Sequence, residues 1–164
     1  MFNIEFIDTG DSKDLLKLSE QAEIDSKTGR SDELKTPVGY GLIVIGSFVE
    51  RFESPLQYWR KKEYEEQWHN AISRLLAGSK KTALITAMYD PATANFLTWW
   101  PLYRVAETIF IHNQLLFLSN LNKPFSIEEM DELVGPRHSV DDESTKISEW
   151  SVPLADIDLF WQRV

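Results

Sequence analysis

The spacing of apolar and polar positions changes several times along the chain, and each change marks an element. Phe2, Ile4 and Phe6 alternate with Asn3 and Glu5, the period-two pattern of a strand. Thr9-Gly10-Asp11 reads as a turn, and Leu15, Leu18 and Ala22 share one face of a helix over residues 12–24. Residues 25–38 are polar with Gly and Pro, which predicts a loop. Gly41 to Phe52 is predicted as one long strand, with Gly46 marking a bulge or bend inside it. The clearest periodicity lies in Glu63–Leu76, where Tyr64, Trp68, Ala71, Ile72, Leu75 and Leu76 recur at spacings of three and four. That spacing predicts a helix with Glu65, Glu66, His69, Asn70 and Arg74 on its other faces and Gly78 as its stop.

The second half begins with short strands. Lys81–Tyr89, Asn95–Trp100, Val105–His112 and Gln114–Leu118 are β-rich runs, the first two separated by Asp90-Pro91. Such short connections predict antiparallel pairing in a meander. Ser126 and Glu129 are spaced as a capping box, with Phe125 and Met130 as its hydrophobic staple, and Gly135-Pro136 ends the short helix they open. Residues 136–146 form a second polar loop, Ile147–Trp150 a short strand, and Pro153 opens a last helix with Leu154, Ile157, Phe160 and Trp161 inward. No internal repeat or low-complexity tract interrupts the pattern. The predicted fold is α+β, with residues 1–164 as a single domain and a central antiparallel sheet on which the helices pack.

Composition narrows the classes. A hydrophobic fraction of 43% with six Trp is enough material for a core without a metal or disulfide staple. There is no Cys, so disulfides, thiol catalysis and Cys-ligated zinc are excluded. The first residues lack a basic region followed by an apolar run, and no apolar stretch approaches the ~20 residues of a membrane helix, so the expected location is the cytoplasm. Charge is unevenly placed. Residues 1–34 carry nine acids and four bases and residues 126–164 carry ten and three, whereas residues 35–125 carry seven acids and ten bases, within a total of −9. This excess opposes non-specific nucleic-acid binding and favours fast association with a basic partner.

Candidate chemistry is sparse. None of His69, His112 and His138 falls in a recognised metal spacing, although His138 stands near Asp141 and Asp142. Gly39-Tyr40-Gly41 lacks a third Gly and precedes a strand, unlike a dinucleotide-binding turn. The acid pairs Glu65/Glu66 and Glu128/Glu129 are expected to face water. Arg60-Lys61-Lys62 lies among Tyr58, Trp59 and Tyr64 but is offset by Glu63, Glu65 and Glu66, which speaks against a base-stacking patch. Two other readings stay open: a hydrolytic enzyme joining His138 or His112 to two carboxylates, and an adaptor binding through an exposed Trp of the Trp99-Trp100 pair.

Several segments, taken in order, carry a resemblance. They are Ile45–Phe52 (IGSFVERF), Tyr58-Trp59, Tyr64–Trp68 (YEEQW), Ala83–Pro91 (ALITAMYDP), Asn95–Arg104 (NFLTWWPLYR), His112–Leu118 (HNQLLFL) and Ile147–Trp150 (ISEW). This string, over about residues 41–150, resembles the immunity proteins of bacterial contact-dependent growth inhibition systems, the CdiI-type proteins, and most nearly the branch paired with EndoU-type RNase toxins. The resemblance implies a cytoplasmic protein without cofactor, metal or catalytic residues. Its partner would be the cognate CdiA-type toxin C-terminal domain, a basic nuclease, with no direct contact to nucleic acid or membrane. An acidic surface would then occupy the toxin's cleft. The candidate toxin-binding residues are Asp25, Asp32 and Glu33 in the first polar stretch and Asp141, Asp142, Glu143 and Glu149 in the second.

Overall fold

A computed structural model describes residues 1–7, 37–138 and 147–163. The turn at Thr9–Asp11, the helix over 12–24 and most of the loop over 25–38 lie outside these residues. The order of elements is β1 (Phe2–Phe6), β2 (Val38–Ile45), β3 (Phe48–Pro55), α1 (Lys61–Leu76), β4 (Lys81–Ala87), β5 (Phe96–Val105), β6 (Thr108–His112), β7 (Gln114–Phe117), a 3₁₀ turn (Leu118–Asn120), α2 (Met130–Leu133), β8 (Glu149–Pro153) and α3 (Leu154–Trp161). The class is α+β. The strands form two antiparallel sheets, one ordered β1-β2-β3 and one ordered β4-β5-β6-β8, with β7 also on β5.

The first sheet departs from the expected long strand. Ile45 pairs with Phe48, so Gly46-Ser47 is a two-residue hairpin turn and not a bulge. Gly46 has φ +65°, a conformation glycine adopts without a Cβ penalty, and such turns match the twist of the strands they join. Gly41 serves packing instead. A Cβ there would lie 2.2 Å from the Phe52 ring, which occupies the space the missing side chain leaves. On the same face, Phe6 meets Trp68 with ring centroids 5.1 Å apart.

The outer edge of β4 is closed by side chains of α1. Gln67 Nε2 donates to the carbonyl of Ala83 at 2.8 Å, and the N–H of Ile85 donates to Gln67 Oε1 at 2.9 Å. Trp68 Nε1 donates to the carbonyl of Ile85 at 2.7 Å. The Tyr64 hydroxyl donates to the carbonyl of Pro55 at 2.9 Å and accepts from the N–H of Met88 at 2.9 Å, tying the first sheet to the second. Ser54 Oγ adds a bond to the carbonyl of Thr86 at 2.6 Å. The helical stripe therefore supplies hydrogen bonds as well as apolar surface, and Gln67 is buried for that reason.

With Ala83 and Ile85 turned to that edge, Thr82 and Leu84 bond to Leu102 and Trp100, and the intervening Pro101 faces the other neighbour. Proline has no N–H to give there. The ladder is interrupted opposite it, and β6 and β7 keep the same register on either side of the break (Leu102 with Ile111, Trp99 with Gln114). The strand expected to end at Trp100 thus continues to Val105, and Ala106 at φ +52° makes the turn into β6. The capping box at Ser126 does not form. Ser126 Oγ donates to Glu128 at 2.5 Å, and Glu129 pairs with Lys123 at 2.5 Å, leaving a single helical turn whose Met130 and Val134 are buried. At the end of the chain α3 returns to β1, where Phe2 and Phe160 meet edge to face at 5.4 Å and Arg163 donates to the carbonyl of Phe2 at 3.3 Å.

Gln67→Leu strands two buried backbone groups and is expected to lower the unfolding free energy by about 1–3 kcal/mol. Gly41→Ala, which forces the Phe52 ring to move, is expected to cost about 1–3 kcal/mol. Urea unfolding of both variants checks these values.

Candidate functional site

Six of the seven candidate acids, Asp25, Asp32, Glu33, Asp141, Asp142 and Glu143, lie outside the described residues. The seventh, Glu149, opens β8 and is paired in register with His112 at the end of β6. Arg137 grips its carboxylate with two bonds of 2.7 Å, from Nε to Oε2 and from Nη2 to Oε1. His112 Nε2 meets Oε2 at 2.7 Å, and Gln114 Nε2 lies 3.2 Å from His112 Nδ1. The guanidinium of Arg137 sits 3.7 Å above the Phe110 ring. The Arg137 hydrogen bonds, aided by His112 and opposed by burial, hold the Glu149 carboxyl below its ordinary range. Its charge is thus matched inside the chain before any partner arrives.

This cluster has the residue types of an acid–base site but not the access. His112 is 0% exposed and lines none of the clefts described below. Burial, then the nearby Glu149 charge, pushes the Tyr103 phenol up, so it stays protonated beside the His112 ring at 5.0 Å. His138 is exposed, and His69 is stacked on Trp161 with centroids 3.6 Å apart, so the three histidines are dispersed. Among the described residues no three His, Asp or Glu side chains are grouped to hold a metal. No helix of the described residues is long and apolar enough to cross a membrane.

The Trp pair corrects the adaptor reading. Trp99 is 3% and Trp100 1% exposed, because the first faces one layer and the second packs against Trp150 at 5.6 Å and Phe48 at 6.4 Å. Several bases are also engaged internally. Arg74 pairs with Asp131 at 2.7 Å, Lys62 pairs with Glu66 at 3.4 Å and Lys81 donates to the carbonyl of Val134. A continuous phosphate-binding stripe is not built from these residues.

Surface clefts open among the described residues. One of about 570 Å³ lies among Tyr58, Met88, Tyr89, Asp90 and Phe96 at the start of β5. One of about 580 Å³ lies between α1, β1 and α3, with Glu5, Glu65 and Glu66 at its mouth. A smaller one of about 240 Å³ runs along the other side of α1, beside Trp59, Gln67 and Met130. No sequence signal marks Arg137 as the partner of Glu149. The two lie twelve positions apart on either side of a polar stretch, and Arg137 reaches the carboxylate from above the Phe110 ring of β6.

Comparison with known proteins gives three findings. The family described as the CdiI N-terminal domain matches residues 54–160. Immunity protein CdiI of Enterobacter cloacae subsp. cloacae is 32% identical over 115 residues, covering 70% of this chain and 79% of that protein. A solved structure, the CdiA-CT/CdiI toxin and immunity complex from Enterobacter cloacae, matches with a TM-score of 0.77 at 26% identity, over 99% of this chain and 97% of that one.

The Glu149 cluster predicts a pH dependence. A carboxyl whose folded value lies below its ordinary 4.5 contributes stability that is complete above that value and is lost as pH falls through the folded value. Wild type is therefore expected to lose more unfolding free energy than Glu149→Gln between about pH 7 and about pH 3. Denaturation at a series of pH values measures the difference, and parallel pH profiles would refute the assignment.

Proposed function

This chain belongs to the CdiI family, and from that premise we propose that it is an immunity protein whose 164 residues act as one unit to bind and neutralise the C-terminal toxin domain of a CdiA-type protein. The observation that carries the proposal is the match over nearly the whole chain to a solved toxin and immunity complex. The geometry supports binding over catalysis. The histidine of the best-equipped titratable cluster, His112, is fully buried, and the described histidines do not converge on a cleft. Inhibition then rests on occupying a surface of the toxin and needs no turnover and no cofactor.

The finer proposal concerns the toxin's chemistry. A nuclease must present positive potential to phosphate, and a protein with a net charge of −9 is drawn to that same cleft. We place the docking charge on Asp25, Asp32, Glu33, Asp141, Asp142 and Glu143. Glu149, already paired with Arg137 and His112, instead fixes the point where the second acidic stretch rejoins the sheet. Such an inhibitor acts in the cytoplasm, where a delivered nuclease meets its substrate. A hydrolytic role has no specific observation in its favour.

The test is direct binding to the toxin domain encoded beside this chain. A 1:1 complex is expected, with an association rate that falls as salt rises. Changing the six acids to their amides is expected to slow association by about 10-fold or more at low ionic strength and to narrow that gap at high salt. Absence of a complex with wild-type protein would remove the proposal, and unchanged association of the amide variant would remove its electrostatic part.

A further inference from the structure

Unlike the smaller cleft across α1, where Glu63 and Glu66 stand beside Arg74, the cleft between α1, β1 and α3 combines an apolar floor with an acidic mouth. Its floor is apolar, formed by Ile4, Trp68 and Phe160, which are 3%, 2% and 4% exposed. Its mouth is acidic, with Glu5 from β1 and Glu65 and Glu66 from consecutive positions of α1. Glu66 is shared with Lys62 at 3.4 Å, and Glu5 accepts a bond from the neutral amide Asn3 Nδ2 at 2.7 Å. Among the described residues no Lys or Arg lines the cleft. One wall is stiffened by the stack of His69 on Trp161, with an interplanar angle of 23°.

We propose that this cleft is a docking site for a lysine- or arginine-bearing segment of the toxin domain. A long cationic side chain has an aliphatic stem and a charged head, and it buries the first while keeping the second on a polar rim. The stem lies on the edges of Trp68 and Phe160, and the head reaches the carboxylates of Glu5 and Glu65. At about 580 Å³ the cleft holds more than one such side chain. Charge complementarity selects the occupant, since an acidic or purely apolar segment would leave the carboxylates at the mouth unmatched. The six acids assigned above supply the long-range attraction, whereas this cleft supplies a shaped contact that slows dissociation. The inference rests on the proposed role as an inhibitor of a basic toxin.

The test uses the full chain and the toxin domain encoded beside it. The double variant Glu5→Lys/Glu65→Lys changes two exposed side chains. Thermal unfolding is expected to match wild type, and Glu5→Gln/Glu65→Gln serves as a milder variant should the reversal unfold. The reversal is expected to raise the dissociation rate by about 10-fold or more, an effect that persists at high salt because the contact is close-range. Glu107→Lys/Glu53→Lys, which changes net charge equally at exposed positions outside the cleft, is expected to alter the association rate alone. If wild type forms no complex, the inhibitor reading itself fails. If wild type binds and the cleft variant dissociates like wild type, or like the Glu107/Glu53 control, the cleft is not the docking site.

Discussion

The fold depends on how the outer edge of β4 is closed. A sheet that ends in an unpaired strand leaves a row of N–H and C=O groups, each expensive to bury without a partner. Here a helix takes the place of the next strand. Gln67 imitates a peptide group, giving one bond and receiving one, and Trp68 and Tyr64 extend the match along the edge. A helix repeats every 5.4 Å along its axis and cannot pair continuously with a strand, so the contacts come from long side chains one turn apart. The Tyr64 hydroxyl reaches the first sheet at Pro55 as well, so one ring fixes three elements. Burial pushes the Tyr64 phenol up, which keeps the proton it donates.

Once α1 is set by that edge, its neighbouring face is set too. Trp68 belongs to both, its N–H on β4 and its ring in the cleft beside Glu65, Glu66 and His69. The sequence places this face by simple helical arithmetic, but the cleft exists only because α3 returns to close its far wall. Electrostatics follows the same division. Bases of the central region are drawn into pairs such as Arg74 with Asp131, and Arg137 is consumed by Glu149. Among the described residues, Glu5, Glu53, Glu65 and Glu107 remain as exposed acids.

Elements set by local pattern were legible in the sequence. The α1 stripe, the opening strand and the Pro153 start of α3 appear where periodicity or proline placed them, and the expected meander holds from β4 to β6, after which β7 turns back onto β5 and β8 takes the place beside β6. Features decided by partners distant in sequence were not legible. Gly46 reads equally as a bulge or a hairpin until Ile45 finds Phe48. Pro101 looks like the end of a strand, and only the arrangement of β4 and β6 around it shows that its missing N–H costs one rung and not the whole strand. The Ser126 box had the right spacing, but Lys123 took the carboxylate it required. Gln67 carried no signal at all, because a polar residue inside an amphipathic stripe reads as a surface position. For the candidate site, the sequence displayed where negative charge accumulates. It could not display that Glu149 is neutralised by Arg137 and His112, nor that Glu5 shares a cleft with Glu65.

The packing of Phe160 on Phe2 joins positions 158 apart in sequence, and Arg163 reaches the carbonyl of the same residue. The two partners leave the ribosome far apart in time. The first sheet can therefore assemble early, but Phe2 gains this contact only once α3 has emerged from the exit tunnel. A chain halted before α3 would lack that contact, so the join between first strand and last helix is made late, after the rest of the sheet has had time to form.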